Sequence, residues 1–288
     1  MVMPAPEQTR ESDSGWLLET RNLSKRFVQR RPLSRTKFSV EAFRGINLKM
    51  RPAATLAIVG ESGAGKSTLA RCLALLEPPT EGEIWFAGEN LLGLTRRELF
   101  PIRRRIQLIF QDPTSALNPR LNAADIVAEP LVIQRIGTKR EQHQKSLALM
   151  ETVGLPAQSA RKRPFEFSGG QRQRLAIARA LALEPSLLIL DEALSNLDEA
   201  NQRSILELLA GLNCSHSLTY IHITHDLRLV SELACEVAVM REGTIVEQKL
   251  ASELFAGPEH PYTQELLAAS PSLESICTAR ADRDKALA

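Results

Sequence analysis

The apolar residues fall into short unbroken runs separated by longer stretches with helical spacing. Leu56–Val59 and Leu187–Leu190 are four-residue runs with no polar member, the pattern of strands buried on both faces of a sheet. Tyr220–Thr224 is a third strand, and Val237–Met240 with Thr244–Glu247, turning at Glu242–Gly243, reads as a hairpin. Helices are predicted between them over Lys66–Leu76, Gln171–Leu183, Glu199–Leu212 and Asp226–Cys235. Strand alternating with helix predicts an α/β fold with a parallel sheet. Ahead of it, Trp16–Thr20, Phe43–Lys49 and Glu83–Ala87 are β-like stretches with turn residues between them. The segment 112–165 is strand-poor. Within it, Thr138–Val153 sets Leu147, Met150 and Val153 on one helical face with charges opposite. This helical insert divides a single α/β core into two sequence halves.

The run Leu56–Val59 ends directly at Gly60, and Gly60-Glu61-Ser62-Gly63-Ala64-Gly65-Lys66-Ser67-Thr68 then leads into a helix. The pattern GxxxxGK[ST] between strand and helix is a phosphate cradle. Glycines let successive backbone N–H groups curl around a phosphate at the positive end of a helix. Lys66 is placed to neutralise β- and γ-phosphate oxygens, and the Ser67 hydroxyl to ligate Mg²⁺. The second apolar run emerges at Asp191-Glu192. Asp191 can hold Mg²⁺ through water, and Glu192, one residue further out, can polarise an attacking water.

Composition narrows the classes. The chain has 288 residues, 43% hydrophobic and 24% charged, as in soluble globular proteins. Its 36 basic and 34 acidic residues leave a net charge of +2, which argues against a surface built for nucleic acid. Local basic runs at Arg30, Arg31, Arg35 and Lys37 and at Arg103–Arg105 read as solvated positions or as contacts for a partner or acidic lipid. The four cysteines, Cys72, Cys214, Cys235 and Cys277, form no CxxC pair, so reduced thiols are expected rather than a disulfide framework, zinc site or iron–sulfur cluster. No apolar run approaches the roughly 18 residues of a membrane span, and Met1–Gly15 lacks the apolar segment of a signal peptide.

Phe167-Ser168-Gly169-Gly170-Gln171 resembles the LSGGQ signature of ATP-binding cassette (ABC) proteins, with phenylalanine in place of leucine. Ser168 and two glycines at the start of a helix make a second anion-binding end. The other elements of that family occur in its order. Gln111, in Phe110-Gln111-Asp112-Pro113, resembles the Q-loop glutamine that contacts Mg²⁺ and water. His225, in Ile223-Thr224-His225-Asp226, resembles the switch histidine that contacts the γ-phosphate. Ser195-Asn196-Leu197-Asp198 resembles the D-loop, with Asn196 where alanine is usual and Asp198 retained. The family stacks adenine on an aromatic upstream of the cradle. Phe27 fits that position, with Phe38 as the alternative.

The resemblance covers about residues 16–270. It implies a P-loop ABC nucleotide-binding domain with a RecA-like parallel-sheet core, an antiparallel β subdomain and a helical subdomain. The expected division is a tail over 1–15, the domain over 16–255 with its helical subdomain at about 112–165, and a C-terminal segment over 256–288. Ser115-Ala116-Leu117-Asn118-Pro119-Arg120 and His260-Pro261-Tyr262-Thr263-Gln264-Glu265-Leu266-Leu267 look like ATPase subunits of oligopeptide, dipeptide and nickel importers. Read without the family, the second stretch is a turn into an amphipathic helix, a docking tail. Asn196 and the run Thr224–Val230 lean towards the nickel branch. The resemblance implies an ATPase using ATP and Mg²⁺, peripheral on the cytoplasmic face of the cell membrane. Its implied partners are a second cassette, like or unlike this one, two transmembrane permeases and, indirectly, an extracytoplasmic binding protein. The implied trans contacts come from Ser168 and Gly170. An ABC ATPase of a soluble complex, such as one for phosphonate breakdown, is the alternative. Cassettes acting on DNA or ribosomes generally need a long coiled-coil insertion or two cassettes per chain, and neither is present.

Overall fold

The computed structural model describes residues 15–30, 37–233 and 236–269. Two sheets enclose one helix. The first sheet is antiparallel: β1 (Leu18–Arg30), β2 (Lys37–Ile46), β3 (Lys49–Met50), β5 (Glu81–Phe86) and β6 (Glu89–Asn90), in the order β2-β1-β5-β6 with β3 also on β1. The second holds β4 (Thr55–Val59), β7 (Ile106–Ile109), β8 (Leu187–Asp191), β9 (Thr219–Thr224), β10 (Glu236–Arg241) and β11 (Thr244–Leu250), in the order β11-β10-β4-β9-β8-β7. All its pairings are parallel except β10–β11, which closes one edge as a hairpin.

The helices are α1 (Lys66–Leu73), α2 (Arg96–Arg105), α3 (Pro113–Ala116), α4 (Ala123–Ile133), α5 (Lys139–Thr152), α6 (Gly169–Leu181), α7 (Glu199–His216), α8 (Leu227–Glu232), α9 (Ala251–Ala256) and α10 (Pro261–Ala268). Helix α5 shows how local chemistry sets the bounds. Thr138 accepts from the Glu141 N–H, and the Glu141 carboxylate accepts in return from the Thr138 N–H at 2.7 Å, a reciprocal cap that starts the helix where the sequence predicts.

Every residue of β8 and β9 is buried. Alternation along β8 then splits the core. Leu188 and Leu190 pack with α6, α7 and the helical insert, through Ile177, Ile205, Met150 and Ile126. Leu187 and Ile189 face the other way, joining Leu69 and Leu73 of α1 with Leu23, Phe43 and Ile46 of the antiparallel sheet. Helix α1 is therefore held between both sheets. A smaller cluster joins Val59, Val237 and Val239 to α8, α9 and Tyr262 of α10.

The antiparallel sheet differs most from the sequence reading. Strand β1 continues ten residues beyond Thr20, through Arg21, Lys25 and Arg26. Those charges break the apolar alternation, and the pairing with β2 shifts register between Leu23 and Arg26. Partners outside the strand hold it instead: Arg26 lies 3.7 Å from Glu41 across on β2, and Lys25 lies 2.6 Å from Glu77 in the loop after α1. Strand β7 and helix α2 were not resolved by the apolar pattern, since β7 has four residues and α2 buries only Ile102. Arg103 and Arg105, at the end of α2, make internal contacts: Arg103 donates to the Leu75 carbonyl and Arg105 lies over the Phe86 ring. Cys72 is a buried free thiol whose pKa burial pushes up to about 12, and Cys214 is an exposed free thiol. Cys235, Cys277 and the segment 1–14 lie outside the described residues.

Candidate functional site

Strands β7, β8, β9 and β4 are consecutive neighbours in the parallel sheet, and the loops leaving their C-terminal ends carry Gln111, Asp191-Glu192, His225 and the Gly60–Thr68 loop. Parallel sheets gather ligand sites at this edge because helix N-termini and strand-end loops converge there. Residues up to 165 positions apart in the chain thus share one site.

The loop after β4 is closed by its own lysine. Lys66, the first residue of α1, is buried, and its Nζ donates to the carbonyl oxygens of Gly60 and Glu61, each at 2.7 Å. Burial pulls its pKa down, while Glu192, Asp191 and Glu61 oppose that shift. Gly65 caps α1 with φ of 98°, and the Ala42 carbonyl of β2 presses against it. The Gly243 N–H donates to the Ala64 carbonyl at 3.1 Å. The antiparallel sheet and the β10–β11 turn therefore both brace the loop.

Opposite the loop, the Ser67 hydroxyl donates to Asp191 Oδ1 at 2.8 Å. Burial raises the pKa of Asp191, with the Ser67 hydrogen bond acting against it and the neighbouring Glu192 charge adding to it. Glu192 sits in the left-handed region, φ 48°, costly for a residue with a side chain. Its N–H donates to the Ile223 carbonyl at 2.9 Å, and its carbonyl accepts from the Ser195 N–H and hydroxyl. This backbone grip turns the side chain outward. There Gln111 Nε2 donates to Glu192 Oε2 at 3.0 Å, and His225 Nδ1 lies 3.6 Å from Oε1. His225 is more than half exposed and Glu192 only slightly so.

Ser168–Gln171 have other neighbours. Ser168 caps α6: its hydroxyl accepts from the Gln171 N–H at 3.3 Å, and Gln171 Oε1 accepts from the Ser168 N–H at 3.1 Å. Gly169 lies beside Leu197, and Gly170 against the Asn201 side chain. Asp198 caps α7, accepting from the Asn201 N–H at 2.9 Å and from its Nδ2 at 2.6 Å, which lowers the Asp198 pKa. Phe27 sits opposite Val40 on β2, two residues from the Ala42 that presses on Gly65, with the Lys25 ammonium 4.8 Å from its ring centre. The Phe38 side chain lies outside the described residues. Two participants escaped sequence reasoning. Asn201 joins Asp198 to Gly170, and the Tyr262 hydroxyl accepts from the Glu61 N–H at 3.0 Å. The HPYT run marked Tyr262 without revealing what it touches.

The chain matches the ABC transporter family over residues 43–195. It is 44% identical over 257 residues to an oligopeptide transport ATP-binding protein of Bacillus subtilis, spanning 88% of this chain and 82% of that protein. A dipeptide transport ATP-binding protein of Haemophilus influenzae is 40% identical over 257 residues, spanning 89% and 79%. Among solved structures, a dimeric ATP-binding cassette in a post-hydrolysis state bound to ADP and Pi superposes with a TM-score of 0.72 at 29% identity, covering 81% of this chain and 98% of that one. With the phosphate loop, the strand-end carboxylates and the signature helix in this arrangement, the chain belongs to the ABC transporter family and is an ATPase that binds ATP.

Proposed function

We propose that the chain is the ATP-hydrolysing subunit of a peptide importer, closing with a second cassette on two ATP molecules. The observation that carries the chemistry is the Gln111–Glu192–His225 group facing the Lys66 loop across adjacent strand ends. In this reading the Gly60–Thr68 loop cradles the phosphates with its backbone N–H groups, apart from that of Glu61, which donates to Tyr262, and Lys66 leaves the Gly60 and Glu61 carbonyls to neutralise the β/γ oxygens. A neutral residue at 66 then weakens both nucleotide binding and turnover. Glu192 accepts a proton from the attacking water, Gln111 and His225 orient that carboxylate, and Phe27 stacks on adenine. Ser168, Gly169, Gly170 and Gln171 face the nucleotide of the partner cassette, with Asp198 at the same seam.

Ser67 and Asp191 suit Mg²⁺. They offer hard oxygen donors 2.8 Å apart, and burial still raises the Asp191 pKa although the Ser67 hydrogen bond and the Arg71 and Lys66 charges act against it. Ser67 and Asp191, together with Gln111, would hold Mg²⁺, which would supply charge neutralisation on the phosphates.

Peptide is favoured as cargo because the relatives reported above are named for oligopeptide and dipeptide transport. Nickel rests on Asn196 and Thr224–Val230 alone. Among the described residues no helix is long and apolar enough to cross a membrane. The reading therefore requires two permeases, with this chain peripheral on the cytoplasmic face and an extracytoplasmic protein delivering cargo. The test is to tag the Glu192→Gln chain in its native cell and purify it from detergent-solubilised membranes with ATP. Two multi-span permeases and a second cassette are expected. A soluble set of enzymes, with the tagged chain absent from membranes, would overturn transport while leaving the ATPase intact.

A further inference from the structure

We infer that Tyr262 is a positioning residue for the phosphate loop, and that α10 reaches the nucleotide site through its hydroxyl. The inference rests on the ATPase reading of the loop. Gly60 and Glu61 share one peptide unit, whose C=O and N–H point in opposite directions because the peptide is trans and planar. Both ends of that unit are held. Lys66 Nζ binds the Gly60 oxygen at 2.7 Å, and the Tyr262 hydroxyl binds the Glu61 nitrogen at 3.0 Å. Rotating the unit would break both bonds together.

Tyr262 is itself fixed from several sides. It is 3% exposed, packed with Val59 and Val239 behind the strand that launches the loop. The Arg241 guanidinium lies 4.7 Å from its ring centre. Its own N–H donates to His260 Nδ1 at 3.1 Å, capping α10. The Glu247 carboxylate of β11 accepts from the N–H groups of Glu259 and His260 at 2.9 and 3.0 Å, clasping the turn before α10. The hydroxyl is thus presented from a rigid base rather than from a loose tail.

The consequence appears when nucleotide binds. Lys66 must leave the Gly60 carbonyl to reach the phosphates, and Tyr262 then remains as an anchor on that peptide unit. Its hydroxyl keeps the loop entrance in its nucleotide-ready shape while the lysine moves. The Glu61 N–H is already occupied by Tyr262, so it is withdrawn from the donors available to phosphate. Nothing in this arrangement touches Glu192, Gln111 or His225, so the effect falls on nucleotide affinity rather than on the chemical step.

The experiment uses the chain purified with the partners that accompany it, as wild type, Tyr262→Phe and Met150→Ala, the last a buried residue of the helical insert away from Tyr262. Steady-state ATPase rates and ADP binding are measured, with thermal unfolding of the nucleotide-free protein as a control. Losing this hydrogen bond is expected to raise KM for ATP and Kd for ADP roughly three- to tenfold in Tyr262→Phe, with kcat held within about twofold. Met150→Ala keeps the Tyr262 hydroxyl and its supports and should leave KM within about twofold even if the melting point falls. Unchanged KM and Kd in Tyr262→Phe, or equal losses in both variants, would overturn the inference. Should Tyr262→Phe fail to fold, amide exchange of Glu61 in the wild-type chain decides: protection supports the bond and fast exchange removes it. A wild-type chain that binds no ADP would instead sink the ATPase reading, leaving the two failures distinct.

Discussion

Replacing Gly65 with alanine tests how tightly the antiparallel sheet is locked to the phosphate loop. A Cβ at this position would lie 2.1 Å from the Ala42 carbonyl oxygen, 0.9 Å inside the 3.0 Å limit of real Cβ contacts, and 3.1 Å from the Met240 side chain. The offending oxygen is backbone rather than the end of a flexible side chain, and although Ala42 falls at a shift in the register, its neighbours Glu41 and Phe43 are paired with Arg26 and Lys25 of β1 and limit how far it can move. The backbone adds its own cost, because φ is 98° and a non-glycine residue at positive φ loses about 1–2 kcal/mol. Forcing apart packed elements costs about 1–3 kcal/mol more. Gly63 separates the two terms: its φ is 86°, but a Cβ there meets nothing within 4 Å.

Thermal unfolding without nucleotide, so that ligand linkage does not enter, should show Gly65→Ala losing about 2–5 kcal/mol and Gly63→Ala about 1–2. At about 2–4 °C per kcal/mol, the first midpoint falls by several degrees more than the second. Equal midpoints for the two variants would refute the claim that Ala42 leaves no room at Gly65. The same displacement should slow ATP hydrolysis, because an ångström of misplacement at a reacting site costs on the order of 10²-fold in rate.

Three further outcomes are expected. Glu192→Gln keeps the size of the side chain but removes the base, so turnover should fall roughly 10²-fold or more while ATP binding persists. Wild-type hydrolysis rates in that variant would end its proposed role. Phe27→Ala should weaken ATP binding by about tenfold, in keeping with about 1–3 kcal/mol for a base stacked on an aromatic ring. Unaltered affinity in a titration would move the adenine elsewhere. Burial works against the Glu247 carboxylate, but the N–H groups of Glu259 and His260, the nearby Thr263 hydroxyl and Lys249 outweigh it and hold its pKa at about 2 against an ordinary 4.5. A lowered carboxyl pKa stabilises the folded state above its ordinary value, and this contribution is lost as pH falls from about 4.5 towards 2. Acid titration followed by tail-specific proteolysis should therefore release α10 in that window, and Glu247→Gln should flatten the response.

How much of this was legible in advance depended on whether a feature is local. The strand Leu56–Val59, the loop Gly60–Ser67 and the helix after it are continuous in sequence, so backbone sterics and apolar runs declare them without a partner. The α5 cap is similarly local, written in Thr138 and Glu141. Asp191 and Glu192 taken alone could simply end a strand, and only the Gly60–Ser67 loop elsewhere in the chain marks them as candidates for the same site. The charged part of β1 was not readable, because its stability comes from Glu41 and Glu77 across space rather than from its own pattern.

The sequence by itself determined the nucleotide-binding chemistry, since each contributing motif carries its own backbone conformation and side-chain set. Only the tertiary structure decided which motifs meet. The strand order β7-β8-β9-β4 brings Gln111, Glu192, His225 and Lys66 to one edge, an order that loop lengths leave open. It also decided that Tyr262 meets the N–H of Glu61, 201 residues away. A hydrogen bond between such distant residues depends on how β4 and β10 stack with α8, α9 and α10, and no local preference encodes that placement.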